Sequence, residues 1–159
     1  MRKAAIVSGV IGIFLLFGTV VCQAQKWDKN GYVDVTVASS YYDTDSIKIK
    51  GKLVSWTEKY VLTNEGASFV NSEISKNEVC KNNIEKNGNV TEYQIDFQIE
   101  NGRKFRGVAK RYYNKDNKLL CTDKDTGSIA KSEWNKILRG SPIQNAKYDL
   151  VTKYKVKFE

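Results

Sequence analysis

The chain has 159 residues, a formal net charge of +8 and no histidine. The missing histidine removes the usual general base, the Ser-His and Cys-His nucleophilic dyads and most zinc sites. The sequence also lacks a Cys-x-x-Cys pair, a phosphate-binding glycine loop and a nucleophile elbow, so we expect no enzymatic activity, no cofactor and no metal site.

The N-terminal segment has the order of a secretory signal peptide. Arg2 and Lys3 precede an apolar run over residues 4–21, and Ala24 is a small residue at a cleavage position. We therefore predict a signal peptide over residues 1–24.

The rest of the chain, residues 25–159, is predicted to be one exported domain located in the periplasm, at the cell surface or outside the cell. Two alternatives stay open for the N-terminal segment. Its apolar run approaches the length of about 20 residues that spans a bilayer, so it can act as an uncleaved anchor. The other alternative is a lipid anchor on Cys22.

Two cysteines, Cys80 and Cys121, remain after removal of the signal segment. An even number of cysteines in an oxidising compartment favours a disulfide between them. The alternative is two separate buried thiols, because nothing in the sequence gives the distance between the two residues.

The first part of the domain reads as short strands and turns. Tyr32 to Val37 predicts a first strand, and the acids and hydroxyls of residues 41–46 predict a turn. A calcium loop is excluded there because Ile47 occupies the next ligand position. Residues 47–61 predict a hairpin around Gly51-Lys52, with Ile49 paired to Val54 and Ile47 paired to Trp56.

A polar segment follows, in which residues 72–85 predict a short amphipathic helix that ends at Asn87-Gly88-Asn89. The segment after it, Thr91 to Tyr113, is the clearest hairpin of the chain, because Tyr93, Ile95, Phe97 and Ile99 alternate with polar residues.

A three-residue loop, Glu100-Asn101-Gly102, keeps one face of this hairpin apolar. The register that it predicts pairs Phe97 with Phe105, Ile95 with Gly107 and Tyr93 with Ala109. On the solvent face the same register sets Asp96 opposite Arg106 and Glu92 opposite Lys110. These paired charges argue against nucleic-acid binding by the basic run Arg103, Lys104, Arg106, Lys110 and Arg111.

The C-terminal third predicts a strand over residues 118–122 after a left-handed Asn117, and then a loop over residues 123–132. Ser141 and Pro142 are the N-cap and first residue of a predicted helix that runs to about Lys153. Its apolar face comprises Ile143, Ala146, Leu150, Val151 and Tyr154.

The predicted fold class is therefore α+β, with a twisted antiparallel sheet of about five to six strands and a C-terminal helix packed on one face. Four lysines near the C-terminus have few acidic neighbours: Lys147, Lys153, Lys155 and Lys157. They either keep the protein soluble or dock on an acidic surface.

Three stretches together resemble the surface-adhesin protein E-like family: Tyr41–Lys48 (YYDTDSIK), Tyr112–Leu120 (YYNKDNKLL), and Trp134 leading to Gly140-Ser141 before the last helix. The chain departs from the family pattern in three places. It has Asn117 where glycine is common, no proline before Gly140, and Val151-Thr152 where many members have a cysteine.

The resemblance implies a bacterial envelope or surface protein with a PAS-like sheet. The best-known member of the family is an adhesin for laminin, vitronectin and plasminogen. We accordingly expect an adhesin-like, non-catalytic binding protein whose partners are extracellular-matrix proteins, host plasma proteins or acidic polymers. The alternative is a periplasmic small-ligand-binding or sensor-like domain. The resemblance assigns no binding residues, so the binding site is unknown from the sequence.

Overall fold

The computed structural model describes residues 25–30, 36–126 and 133–158. The predicted signal segment and most of the predicted first strand lie outside these ranges. Within them the chain forms one antiparallel sheet of seven strands and four helices, which confirms the predicted α+β class. The elements are β1 (Trp27–Asn30), β2 (Ala38–Lys50), β3 (Leu53–Leu62), α1 (Asn64–Ile74), α2 (Glu78–Asn87), β4 (Val90–Glu100), β5 (Lys104–Asn114), β6 (Leu119–Thr122), α3 (Asp123–Thr126), β7 (Asn135–Lys136) and α4 (Pro142–Thr152).

The sheet is a meander in which β1 to β6 lie side by side in chain order, and β7 pairs with β5. Neighbours in sequence are thus neighbours in space, the usual outcome for antiparallel strands joined by short connections. The pair α1 and α2 forms the connection between β3 and β4.

The turn predicted over residues 41–46 is wrong, because β2 continues through it. A register shift follows Asp43, and the local polar side chains bond to the backbone of this irregular stretch. The Asp43 carboxylate accepts from the backbone N–H of Asp45 (3.1 Å). The Ser46 hydroxyl donates to the Asp43 carbonyl (2.7 Å) and accepts from the Thr57 N–H (2.8 Å). The side chains that favour turns here form hydrogen bonds with the backbone of a β-bulge, and the chain does not reverse.

The hairpin of β2 and β3 has the predicted loop. Ile49 pairs with Val54, and Gly51 has a positive φ of 57°. The further predicted pair of Ile47 with Trp56 is not formed, because Ile47 lies in the bulge.

The central hairpin of β4 and β5 has a loop of the predicted length at a different position. The loop is Asn101-Gly102-Arg103, so Ile99 pairs with Phe105 and Phe97 pairs with Gly107. Asn101 and Gly102 both have positive φ, 51° and 62°, as a type I′ turn requires. The observed register is two residues away from the predicted one, and a slip of two leaves every side chain on its predicted face.

A bulge in β5 moves the side chains beyond it to the face of the sheet opposite to the predicted one. Phe97 pairs with Gly107 while Asp96 pairs with Ala109, so Val108 is the extra residue. Beyond it Lys110 stands opposite Ile95, on the apolar face.

The predicted ion pairs are therefore wrong. Asp96 instead binds both terminal nitrogens of Arg111 (2.8 and 2.6 Å), and Glu92 lies 3.8 Å from Lys59.

The single helix predicted over residues 72–85 is two helices in the structure. Thr63 caps α1 by accepting from the Gly66 N–H (3.1 Å), and Asn77 caps α2 by accepting from the Cys80 N–H (3.2 Å). The predicted stop at Gly88 is confirmed, with a φ of 89°.

The last helix begins as predicted, because the Ser141 hydroxyl accepts from the Gln144 N–H (3.2 Å) with Pro142 first in the helix. Val151, placed on the apolar face by helical periodicity, is 41% exposed. Val156, from the irregular tail after the helix, is buried in the core instead.

One face of the sheet, the inner face, carries two apolar clusters. The α4 half comprises Tyr42, Val54, Trp56, Phe97 and Ile99 of the sheet with Ile143, Ala146, Leu150 and Val156. The disulfide half comprises Ile74, Cys80, Ile84, Val90, Tyr112, Leu120 and Cys121, beneath α1 and α2. The other face of the sheet, the outer face, carries mainly polar side chains.

Candidate functional site: a basic cleft

A cleft of about 550 Å³ lies where the tip of the central hairpin, β7 and the start of α4 meet. Five cationic side chains line it and no carboxylate does. The lining residues are Gly102, Arg103, Lys104, Lys136, Ile137, Arg139, Gln144 and Lys147.

The strand β7 brings the first group of cations together. Lys104 stands directly opposite Lys136 in the ladder, and the Ile137 N–H donates to the Arg103 carbonyl (3.0 Å). Like charges directly opposite each other in a sheet are destabilising. An anion bound beside these two lysines would offset that repulsion.

The helix α4 supplies the facing wall. The Lys147 ammonium donates to the Gly102 carbonyl (2.7 Å) and lies 5.6 Å from the centre of the Phe158 ring. A β-carbon on Gly102 would lie 3.0 Å from Phe158, in the tail after α4, and 3.2 Å from Lys147, so glycine allows the hairpin tip to approach these side chains closely. An ammonium has three donors, and two of the Lys147 donors remain for a ligand.

The cleft cations are not neutralised within the described part of the chain. None of the five forms an ion pair there; the ion pairs observed involve other lysines and Arg111. The outer face differs, because it contains a carboxylate, Asp96, that is matched by a cation, Arg111. Burial alone would raise the pKa of Asp96, but hydrogen bonds from Arg111 and Thr57 lower it below its ordinary value.

The basic run of the central hairpin does not form one surface. Arg103 and Lys104 line the cleft, while Arg106 lies on the outer face, donating to Gln98 (2.9 Å) with its guanidinium 4.5 Å from the Trp134 ring. Lys110 lies over the Tyr93 and Tyr112 rings, and Arg111 binds Asp96.

The four C-terminal lysines also separate. Lys147 lines the cleft, and Lys153 lies 3.2 Å from Asp149. Lys155 donates to the Thr152 carbonyl (2.8 Å), and Lys157 is exposed.

Sequence reasoning did not select Lys136, Arg139 or Gln144. Lys136 joins the site through a two-residue strand, and so short an element has no alternation that could predict it.

Cys80 and Cys121 form a disulfide, with their α-carbons 5.3 Å apart, that joins α2 to β6. Because the two residues are bonded, the alternative of two separate buried thiols is wrong, although both residues are buried. The bond lies in the disulfide half and contributes nothing to the cleft lining.

Two further findings concern only the described residues. No helix among them is long and apolar enough to cross a membrane. No group of three or more carboxylate or cysteine side chains among them could hold a metal ion. What the cleft offers chemically is therefore a set of donors for sulfate, phosphate or carboxylate groups.

Comparison with protein-family models, with curated proteins and with solved structures found no match to this chain. The resemblance to the surface-adhesin protein E-like family stays a prediction, and function has to be inferred from the cleft itself.

Proposed function

We propose that this chain is an exported, adhesin-like binding protein of the bacterial envelope or surface that recognises acidic polymers or acidic protein surfaces through the basic cleft. It acts without catalysis and without a cofactor. The observation that carries this proposal is the convergence of five cations that no described carboxylate neutralises. Matrix and plasma proteins of a host are the partners that the family resemblance adds.

The cleft favours a polyanion for two physical reasons. Its two arginines, Arg103 and Arg139, can each bind an anionic group through two parallel hydrogen bonds. Its three lysines add point charges in a concave site, where the field of one sign is focused. Its volume of about 550 Å³ also falls within the range usual for ligand sites.

Export is supported by the disulfide, because such bonds persist in oxidising compartments. Cell fractionation with a mass measurement of the mature N-terminus tests it. We expect a mature chain that begins at Gln25; an intact or lipidated N-terminus would replace cleavage by one of the two anchored alternatives.

A small-ligand-binding or sensor-like domain is the second candidate. It is favoured by a pocket of about 260 Å³ between α1 and β5, with Ile74, Lys110 and Tyr112 in its lining. This volume is below the usual range of ligand sites, about 300–1,000 Å³, so the candidate ranks second.

The main proposal is tested by binding to heparin, a sulfated polysaccharide, with a neutral polysaccharide as reference. The test variant replaces three cleft lysines, Lys104, Lys136 and Lys147, by glutamine. Hydrogen bonds to charged groups contribute roughly 1.5–3 kcal/mol each, so we expect at least about a tenfold loss of affinity.

The control variant replaces three exposed lysines outside the cleft, Lys81, Lys86 and Lys124, by glutamine. It removes the same charge, and we expect its affinity to change less than about twofold. Equal losses in the two variants, or no binding by the wild type at low salt, would contradict the proposal.

A further inference from the structure

Two carboxylates are buried where α4 covers the sheet. Glu58 of β3 and Asp149 of α4 are each only 2% exposed, and neither lines the basic cleft. Burying a charge without a partner is among the costliest arrangements in a protein. Their position therefore requires an explanation.

Glu58 has hydrogen-bond donors, but no cation of the described residues forms an ion pair with it. The Trp56 indole N–H donates to one oxygen (2.9 Å), and the Tyr60 hydroxyl donates to the other (2.6 Å). Burial raises the pKa of Glu58, the two hydrogen bonds lower it, and the charge of Asp149 raises it further; the net direction is upward.

Tyr42 lies in the cross-strand position next to Glu58. Its hydroxyl is fully buried and has no partner at ordinary hydrogen-bond distance among the described residues, but it interacts with Asp149 as a donor; burial, the charges of Glu58 and Asp149 and this weak hydrogen bond raise its pKa. The Ser40 hydroxyl nearby is also buried and unpartnered. The Tyr42 hydroxyl carries its own donor, which can serve Asp149, and its oxygen stays open to accept a proton donor from the side of Glu58.

The compensating charges lie at the margin of this region. Lys153, one helical turn after Asp149, lies 3.2 Å from its carboxylate and is 45% exposed at the side chain. Lys110 shares a cross-strand row with Glu58, but Ile95 separates the two and Lys110 lies over the Tyr93 and Tyr112 rings.

The titratable and charged groups that face Glu58 come from every strand of this row and from the helix. They are Asp28 of β1, Tyr42 of β2, Tyr60 of β3, Tyr93 of β4, Lys110 of β5, and Asp149, Lys153 and Tyr154 of α4 and its end. Asp28 is occupied, since it accepts from the Tyr154 hydroxyl (2.5 Å).

We propose that α4 is docked on the sheet through a proton-dependent contact, in which protonated Glu58 faces Asp149 across the Tyr42 hydroxyl, and that this contact regulates the basic cleft. A protonated carboxyl has a donor that the carboxylate lacks, and the Tyr42 hydroxyl can accept it. Tyr42 in turn can donate to the Asp149 carboxylate. One proton thus gives the Tyr42 hydroxyl oxygen a donor and removes one of two facing negative charges.

The direction of the pH dependence follows from the raised pKa of Glu58. Its contribution to docking is complete below the ordinary glutamate pKa of 4.5 and is lost as the pH rises through the higher value in the folded protein. Within that window one proton changes the docking equilibrium by up to about tenfold per pH unit.

The connection to the cleft is α4 itself. Gln144 and Lys147, which line the cleft, lie on the same helix as Asp149, and Lys147 bonds to the hairpin tip. A loosened α4 removes this wall. This step rests on the proposed function, and it predicts that affinity for a polyanion falls as the pH rises.

The first experiment needs no ligand. The free energy of unfolding is measured by chemical denaturation from about pH 4 to about pH 9 for the wild type and for Glu58→Gln, which keeps the shape of the protonated acid. We expect the wild type to lose stability relative to the variant as the pH rises. Parallel profiles would overturn the proposal.

A second measurement uses the wild type alone, in case Glu58→Gln does not fold. Infrared spectroscopy should detect the carbonyl band of a protonated carboxylic acid above the pH at which ordinary glutamates ionise. In Asp149→Asn the band should disappear at lower pH, because burial still raises the pKa of Glu58 but the additional contribution from the charge of Asp149 is gone. Absence of the band in the wild type would overturn the proposal.

The last experiment repeats heparin binding across the same pH range, because sulfate groups stay charged throughout it. We expect the affinity of the wild type to fall with rising pH more steeply than that of Glu58→Gln. Equal slopes would overturn the regulatory step. Binding by neither protein at any pH would overturn the proposed function and leave the proton-dependent docking to be judged by the first two experiments.

Discussion

The two halves of the inner face are covered in different ways. In the disulfide half, α2 is joined covalently to β6 through Cys80 and Cys121. In the α4 half, the helix is held by apolar packing around Trp56 and Leu150, and Glu58 and Asp149 are buried in the same half. The half without the disulfide is the one that contributes to the cleft, through Lys147.

This difference indicates which of the two covers can change its position in function. Segments that move in function are drawn from the less stable parts of a protein. The disulfide holds α2 on the sheet covalently, whereas α4 packs on it without such a bond, and α4 is the cover that the proposed proton-dependent contact would release. We therefore expect changes in the α4 half to affect the cleft and changes in the disulfide half to leave it intact.

The largest effect is expected from Trp56→Ala in the α4 half. The side chain is fully buried, stacks on Phe97 (ring centres 5.5 Å apart) and donates to Glu58. Truncation of a buried tryptophan lowers the free energy of unfolding by about 3–5 kcal/mol, and chemical denaturation measures it. Leu120→Ala is the matched core change in the disulfide half, with an expected loss of about 2–5 kcal/mol. Heparin affinity should fall for Trp56→Ala only. Equal affinities of the two variants would contradict the expectation that only the α4 half affects the cleft.

Removal of the disulfide comes next. The bonded residues are 41 apart in sequence, and the chain-entropy model gives such a bond about 4 kcal/mol of stability. Cys80→Ala/Cys121→Ala should lose about this amount in denaturation while its heparin affinity, measured on the folded fraction, stays unchanged. A parallel loss of affinity would mean that the two halves are coupled.

Two glycine substitutions test the close contact between the tip of the central hairpin and the C-terminal part of the chain. Gly102→Ala should cost about 1–2 kcal/mol for its positive φ and a further 1–3 kcal/mol for the contact with Phe158. Gly51→Ala, in the other hairpin, has a similar φ and no atom within 4 Å of the added carbon. It should therefore show the backbone cost alone. Equal losses in the free energy of unfolding would mean that Phe158 and Lys147 move aside without cost.

The smallest effect is expected on the outer face, from Asp96→Asn. The pair of Asp96 with Arg111 is about one-third exposed, so we expect a loss of no more than about 1 kcal/mol. The pKa of Asp96 is lowered, so its contribution is present above the ordinary value of 3.8 and is lost as the pH falls through the lower value. This is the opposite sign to Glu58. A difference from the wild type that grows on acidification would contradict it.

The alternation of apolar and polar residues predicted the face of the sheet on which each side chain lies, but it did not predict the register of the strand pairs. Alternation placed Tyr93, Ile95, Phe97 and Ile99 on one face, and the structure confirms it. The register was wrong by two residues because a slip of two preserves the same alternation. The bulge at Val108 was not predicted, since nothing in the alternation marks the extra residue, and it moved Lys110 to the inner face.

The sequence by itself determined the α+β class, the turn at Gly51, the end of α2 at Gly88 and the start of α4 at Ser141. Each depends on interactions within a few residues, which the order of side chains states directly. Only the tertiary structure decided that Cys80 meets Cys121, that Lys136 and Lys147 share a cleft with Arg103, and that Glu58 and Asp149 are both buried. These contacts join residues far apart in the chain, and their proximity results from strand pairing and helix docking, which no local pattern encodes.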